Sequence, residues 1–92
     1  MTAYVIAENE ITDPEAFKAY GPLFLPTLEK YGGNFVVRGA TVTGLEGEPP
    51  KRVAMLAFEN AAAAKRWHDS PEYAPAKAIR QKSTKGRMFI VE

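Results

Sequence analysis

The sequence predicts an α+β domain: strand, helix, strand, then strand, helix, strand, forming one four-stranded antiparallel sheet with helices on one face. Three observations predict it. Apolar residues recur at helical spacing between residues 17 and 31, and a second helical stretch covers 61–80. Short runs rich in Val, Ile, Phe and Met surround these stretches at 3–11, 34–43, 52–59 and 87–92. In each half, glycine, a polar residue and an apolar run follow the helix: Gly33-Asn34-Phe35-Val36-Val37-Arg38 and Gly86-Arg87-Met88-Phe89-Ile90-Val91. The two halves read as interlocked βαβ units, the ferredoxin-like arrangement.

The first strand, 3–11, alternates Tyr4, Ile6 and Glu8 with Ala3, Val5, Ala7 and Asn9. Thr12-Asp13-Pro14-Glu15 starts a helix. An oxygen side chain can accept from the free amides, proline suits the first turn, and an acid favours the positive end of the dipole. Phe17, Tyr20, Phe24, Leu28 and Tyr31 form its buried stripe. Gly21-Pro22 predicts a kink or short break near 21–22, because an interior proline removes a hydrogen bond. Gly32-Gly33 ends the element.

Residues 34–43 form the second strand. Strict alternation puts Phe35 and Val37 on one side, and Val36, Arg38 and Ala40 on the other. Residues 44–50 are a loop, rich in Gly, Glu and Pro. The third strand, 52–59, is apolar on both faces. Asn60 caps a helix over 61–68. Asp69-Ser70-Pro71 stops it, and Ser70-Pro71 starts the next, with Tyr73, Ala76 and Ile79 or Arg80 on one side. Residues 83–86 turn the chain into the last strand, 87–92, again apolar on both faces.

Helices hide one face of such a sheet. The other would expose more apolar surface than soluble monomers usually show, so a homodimer through the sheet face is expected. The 92 residues make a single domain, 1–92, with a thin core. There is no cysteine and one histidine, so neither a thiolate site nor a metal site is expected. No phosphate-cradling glycine loop occurs, and no cofactor is expected. Residues 1–50 carry 7 acidic and 3 basic side chains, net −4; residues 51–92 carry 9 basic and 4 acidic, net +5. Lys77, Arg80, Lys82, Lys85 and Arg87 read as a solvated helix face and turn. They lack the interleaved aromatics of a nucleic-acid surface. No apolar run is long enough to span a bilayer, and Met1-Thr2-Ala3-Tyr4 has no basic leader, so a cytoplasmic protein is expected.

Several stretches are familiar in combination: Tyr4-Val-Ile-Ala, Thr12-Asp-Pro-Glu-Ala-Phe, Tyr31-Gly-Gly-Asn-Phe-Val-Val-Arg-Gly, and Ser70-Pro-Glu-Tyr followed seven residues later by Arg80. With Tyr20, Leu45-Glu-Gly and Ala57-Phe, they resemble the bacterial domain-of-unknown-function family 1330 over nearly the whole chain. The resemblance implies the dimeric α/β-barrel superfamily and carries no established reaction. That superfamily includes cofactor-free monooxygenases, haem-degrading enzymes, lactone isomerases and stress-response proteins, so fold does not give function. Trp67-His68 stands where the family is expected to have Trp-Tyr.

Candidate site residues follow from side-chain chemistry. Trp67, His68, Tyr73 and Arg80 surround one helix break, which is expected to wall a pocket. Arg38, in a strand, can clamp a carboxylate with its planar fork, or pair with an acid such as Glu8. Arg80 can do the same, or bridge to Asp69, Glu72 or Asp13. His68 titrates near neutrality and is a candidate general base, or a helix-end cap. Asn9 can orient a substrate or close a strand. Tyr20, Trp67 and Tyr73 are core and pocket wall, with polar tips that want partners. The first expectation is therefore a homodimer binding a small, anionic organic molecule between helices and sheet. If it is an enzyme, cofactor-independent oxidation or isomerisation through His68 or Asn9 follows by analogy. The other expectation is a non-catalytic structural or stress-related dimer.

Overall fold

The computed structural model describes residues 1–92, the side chain of Ala40 excepted. The elements are β1 (Ala3–Ile11), α1 (Pro14–Phe17), α2 (Tyr20–Lys30), β2 (Asn34–Ala40), β3 (Arg52–Phe58), α3 (Ala61–His68), α4 (Ala74–Ser83) and β4 (Thr84–Val91). The strands form one antiparallel sheet in the order β2-β3-β1-β4. This is the expected α+β, ferredoxin-like architecture.

One face of the sheet meets the helices. Across it run the rows Ala3/Phe58, Val5/Leu56, Ala7/Ala54 and Asn9/Arg52, with Ile90 and Met88 beside Val5 and Ala7. Phe24, Leu28, Trp67, Tyr73 and Ala76 pack down onto these rows to make the core. The opposite face carries Tyr4, Ile6, Met55, Phe89 and Val91, and no helix covers it. Tyr4, Phe89 and Val91 are 37%, 37% and 46% exposed. The Glu8–Arg87 ion pair, at 2.7 Å, lies on this open face.

Local chemistry sets the helix ends. Asp13 accepts from the amide of Ala16 at 3.1 Å, and Asn60 from that of Ala63 at 2.8 Å. The helical break falls at residues 18–19, before the glycine–proline pair expected to cause it. Gly21 and Pro22 lie in the first turn of α2, where the missing proline amide would have had no helical partner anyway. Gly32, at φ +75°, closes α2. Ser70 ties the later break together: its hydroxyl donates to the Trp67 carbonyl at 2.8 Å and accepts from the Tyr73 amide at 3.1 Å.

The turn expected over 83–86 is absent, and β4 begins directly after α4, three residues early. Ser83 anchors the junction, because its carbonyl accepts from the amides of Thr12 and Asp13 at 2.9 and 3.1 Å. The strand expected over 34–43 ends at residue 40.

Glu72, just before α4, accepts from Lys30 and from the Tyr31 hydroxyl at 2.8 Å. These bonds hold its carboxyl at about 2, below its ordinary 4.5. A carboxyl depressed by folding stabilises the fold above its unfolded value, and that contribution disappears as pH falls through the folded value. Urea midpoints are expected to drop between about pH 4.5 and 2, with a shallower fall in Glu72→Gln. Equal slopes for both proteins would show that the exposed pair contributes nothing.

Candidate functional site

The site begins with an irregularity in β2. Phe35 pairs with Leu56, and Val37 with Met55, so the register shifts between them and Val36 is the extra residue of a bulge. Strict alternation would put Phe35 and Arg38 on opposite faces. The bulge inverts the pleat after Phe35 and returns Arg38 to the helix face. There the Arg38 guanidinium carbon lies 4.3 Å from the Phe35 ring centroid.

Arg38 stands at the mouth of a pocket of about 240 Å³ between α2, α4 and the sheet. Val5, Ala7, Ala54, Leu56 and Met88 form its apolar floor; Phe17, Tyr20 and Phe24 form an aromatic wall. These three rings stack in sequence, with centroids 5.3 and 5.0 Å apart. Asn9, Arg52 and Arg80 also line it. The volume lies just under the roughly 300 Å³ where drug-sized ligand pockets begin.

Arg52 lies across from Asn9 in the β1–β3 pairing. Its guanidinium carbon sits 5.4 Å from the Phe17 ring centroid, and its Nη1 approaches Asn9 Oδ1 at 3.5 Å. Gly39, at φ +50°, provides the room: a Cβ there would overlap the Arg52 guanidinium. Arg80 donates from Nε to the Tyr73 hydroxyl at 3.2 Å, and the Tyr73 and Tyr20 hydroxyls are 2.8 Å apart. Burial pushes the Tyr20 phenol far above its usual range, reinforced by Tyr73, so it stays protonated.

Among the described residues, no acidic side chain lines this pocket. The ion pairs among them are Lys18–Glu15, Lys30–Glu72 and Arg87–Glu8, His68 lies beside Asp69, and none of these contacts uses Arg38, Arg52 or Arg80. Glu8, the alternative partner for Arg38, pairs with Arg87 on the other face. Glu72, an alternative for Arg80, is taken by Lys30.

The expected wall of Trp67, His68, Tyr73 and Arg80 divides. Trp67 and Tyr73 are fully buried and stand behind the arginine pocket instead of lining it. Trp67 donates from Nε1 to the Thr27 hydroxyl at 3.1 Å. His68 lines a separate cavity of about 310 Å³ with Trp67, Asp69 and Phe89, between α3 and β4. Its Nδ1 is 3.5 Å from Asp69 Oδ1. Burial, then Lys77, lowers its pKa against the pull of Asp69, so the ring favours the neutral form. His68 and Asn9 thus sit at different cavities. Among the described residues, no three metal-ligating side chains gather.

Arg52 was not foreseen as a pocket residue. Its signal was present: it shares the alternation of Ala54 and Leu56, which points at the helices. Phe17 and Gly39 also escaped, because their contribution depends on contact with Arg52.

The fold has known counterparts. A protein of unknown function from Rhodopseudomonas palustris superposes with a TM-score of 0.75 at 22% identity, covering 98% of this chain and 80% of that one. SnoaB, a cofactor-independent oxygenase from Streptomyces nogalater, gives 0.69 at 12% identity, covering 99% and 91%. A dimeric protein of unknown function and ferredoxin-like fold from Bacteroides fragilis gives 0.61 at 12% identity, covering 99% and 94%. At these identities the likeness is one of fold. No helix is long and apolar enough to cross a membrane. No curated protein matches the sequence. The family model for the domain of unknown function DUF1330 matches residues 2–92, and the chain belongs to that family.

Proposed function

We propose that the chain forms a two-fold dimer through its open sheet face and binds a small organic anion in the pocket of Arg38, Arg52 and Arg80. One observation carries the binding reading. Three guanidinium groups line a single apolar cavity that holds no carboxylate to neutralise them. Two of them lie against aromatic rings. Although Arg52 shares one N–H with Asn9 and Arg80 gives its Nε–H to Tyr73, the remaining N–H groups can grip an anion in the fork geometry carboxylates favour. A purely structural set of arginines would be paired with carboxylates of the protein, and none of these three is.

Small carboxylic acids and lactones, screened by thermal shift, test the reading. A binding carboxylate is expected to raise the melting temperature. Arg38→Ala and Arg52→Ala should each weaken that carboxylate by roughly 10–100-fold, the worth of one charged hydrogen bond. Undiminished shifts in both variants would remove the anion from this pocket.

Likeness to the Streptomyces oxygenase supports a second reading: cofactor-independent oxidation or isomerisation of the bound molecule. Asn9 is then the candidate to touch substrate, because it lines the arginine pocket and His68 lines the other cavity.

A further inference from the structure

We infer that the Tyr20–Tyr73–Arg80 chain forms a second acceptor-binding end of the pocket, so that the preferred ligand is a two-headed organic anion such as a dicarboxylate. This rests on the anion-pocket reading and specifies its ligand class.

The inference follows from the direction of the hydrogen bonds. A guanidinium has donors and no acceptor, so Arg80 Nε–H must donate to Tyr73 Oη, at 3.2 Å. Either hydroxyl of the Tyr20–Tyr73 pair could donate on distance alone, at 2.8 Å. Tyr73 is fully buried, and its proton has the Tyr20 oxygen as its acceptor within reach, so Tyr73 is assigned as the donor. With Tyr73 donating to it, Tyr20 retains a proton that no other described residue accepts. Tyr20 and Arg80 both line the pocket, while Tyr73 is buried behind them. This end of the pocket therefore presents O–H and N–H donors to whatever binds.

Burial supports the assignment by keeping the Tyr20 phenol in its protonated, donating form. The chain also polarises Tyr20, because each donated bond strengthens the next.

Charge points the same way. Arg38 and Arg52 come from neighbouring strands, whereas Arg80 comes from α4. A single carboxylate gripped by the strand pair leaves the Arg80 charge without a counter-ion and the Tyr20 proton without an acceptor. A second acidic group on the same molecule satisfies both, with its carbon body against the apolar floor.

The test is calorimetric, on the whole protein. Succinate, glutarate, adipate and isophthalate are titrated against butyrate, valerate, caproate and benzoate. At least one dicarboxylate is expected to bind about tenfold or more tightly than its monocarboxylate partner. Tyr20→Phe keeps the stacked ring and should erase most of that ratio, weakening the dicarboxylates far more than the monocarboxylates. Arg80→Gln should do the same, and far-ultraviolet circular dichroism verifies that both variants fold. Equal affinities throughout, or an undiminished ratio in Tyr20→Phe and Arg80→Gln, overturn the second end and leave the anion pocket standing. Binding by neither series overturns both.

Discussion

Trp67→Ala is expected to unfold a large fraction of the protein at 37 °C. Trp67 is fully buried at the end of α3, with its ring centroid 4.2 Å from Tyr73, 5.4 Å from Phe58 and 6.0 Å from Phe24. It joins α2 and the break between α3 and α4 to β3. Truncating a buried tryptophan costs about 3–5 kcal/mol in lost transfer energy and cavity. The Thr27 hydroxyl loses its Trp67 donor but keeps its bond to the Phe24 carbonyl, so the loss is mainly one of packing. A domain of 92 residues holds only about 5–14 kcal/mol in total. At about 4–8 °C per kcal/mol, the melting temperature should fall by at least about 12 °C. Thermal unfolding followed by near-ultraviolet circular dichroism measures it. A fall of only a few degrees would mean that the aromatic cluster is not the keystone of this core.

Met55→Asp is expected to convert the proposed dimer into a folded monomer. Met55 lies on the open face of β3, beside Ile6 of β1 and Val37 of β2, with apolar Val53 and Ala57 on the same strand face. In a single chain it is half-exposed, so an aspartate there remains hydrated and costs the fold little. In a sheet-to-sheet dimer the same carboxylate is buried between the apolar Ile6 and Val37 of its own sheet, a penalty of several kcal/mol. Two-fold symmetry imposes the penalty twice. The dissociation constant should rise by about three orders of magnitude or more. Sedimentation equilibrium reads the result as the 10.1 kDa mass of one chain with an unchanged circular dichroism spectrum. A wild-type protein that already sediments at that mass would refute the proposed dimer; a variant that stays dimeric would move the interface elsewhere.

The pocket and the open face make different demands on the same sheet. Positions 5, 7, 54 and 56 meet the helices and floor the pocket. Positions 4, 6, 53 and 55, one step along each strand, face outward. Side chains alternate across a strand, so two neighbouring residues serve opposite surfaces. A one-residue shift in register would exchange the two roles at every position. This explains why β1 and β3 are apolar on both sides.

Much of this was legible in the residues themselves. Helical spacing from Phe17 to Tyr31, the Asn60 cap, the stop at Asp69-Ser70-Pro71 and the two-sided apolar strands are local signals, readable within a few residues. They determined the element order, the α+β class and the existence of an uncovered sheet face. Tertiary structure alone decided where the charged side chains converge. The bulge at Val36 exists because β2 must pair with β3, and it reverses the face of Arg38. Arg52 enters the pocket because Gly39 leaves room and Asn9 lies across from it. The Tyr20–Tyr73 bond joins residues 53 positions apart. The parting of His68 from Asn9 depends on how α3 and α4 settle over the sheet. Periodicity records what a residue needs from its neighbours in the chain. Pairing register and close approach depend on partners far away in it, and those partners choose which polar groups share a cavity.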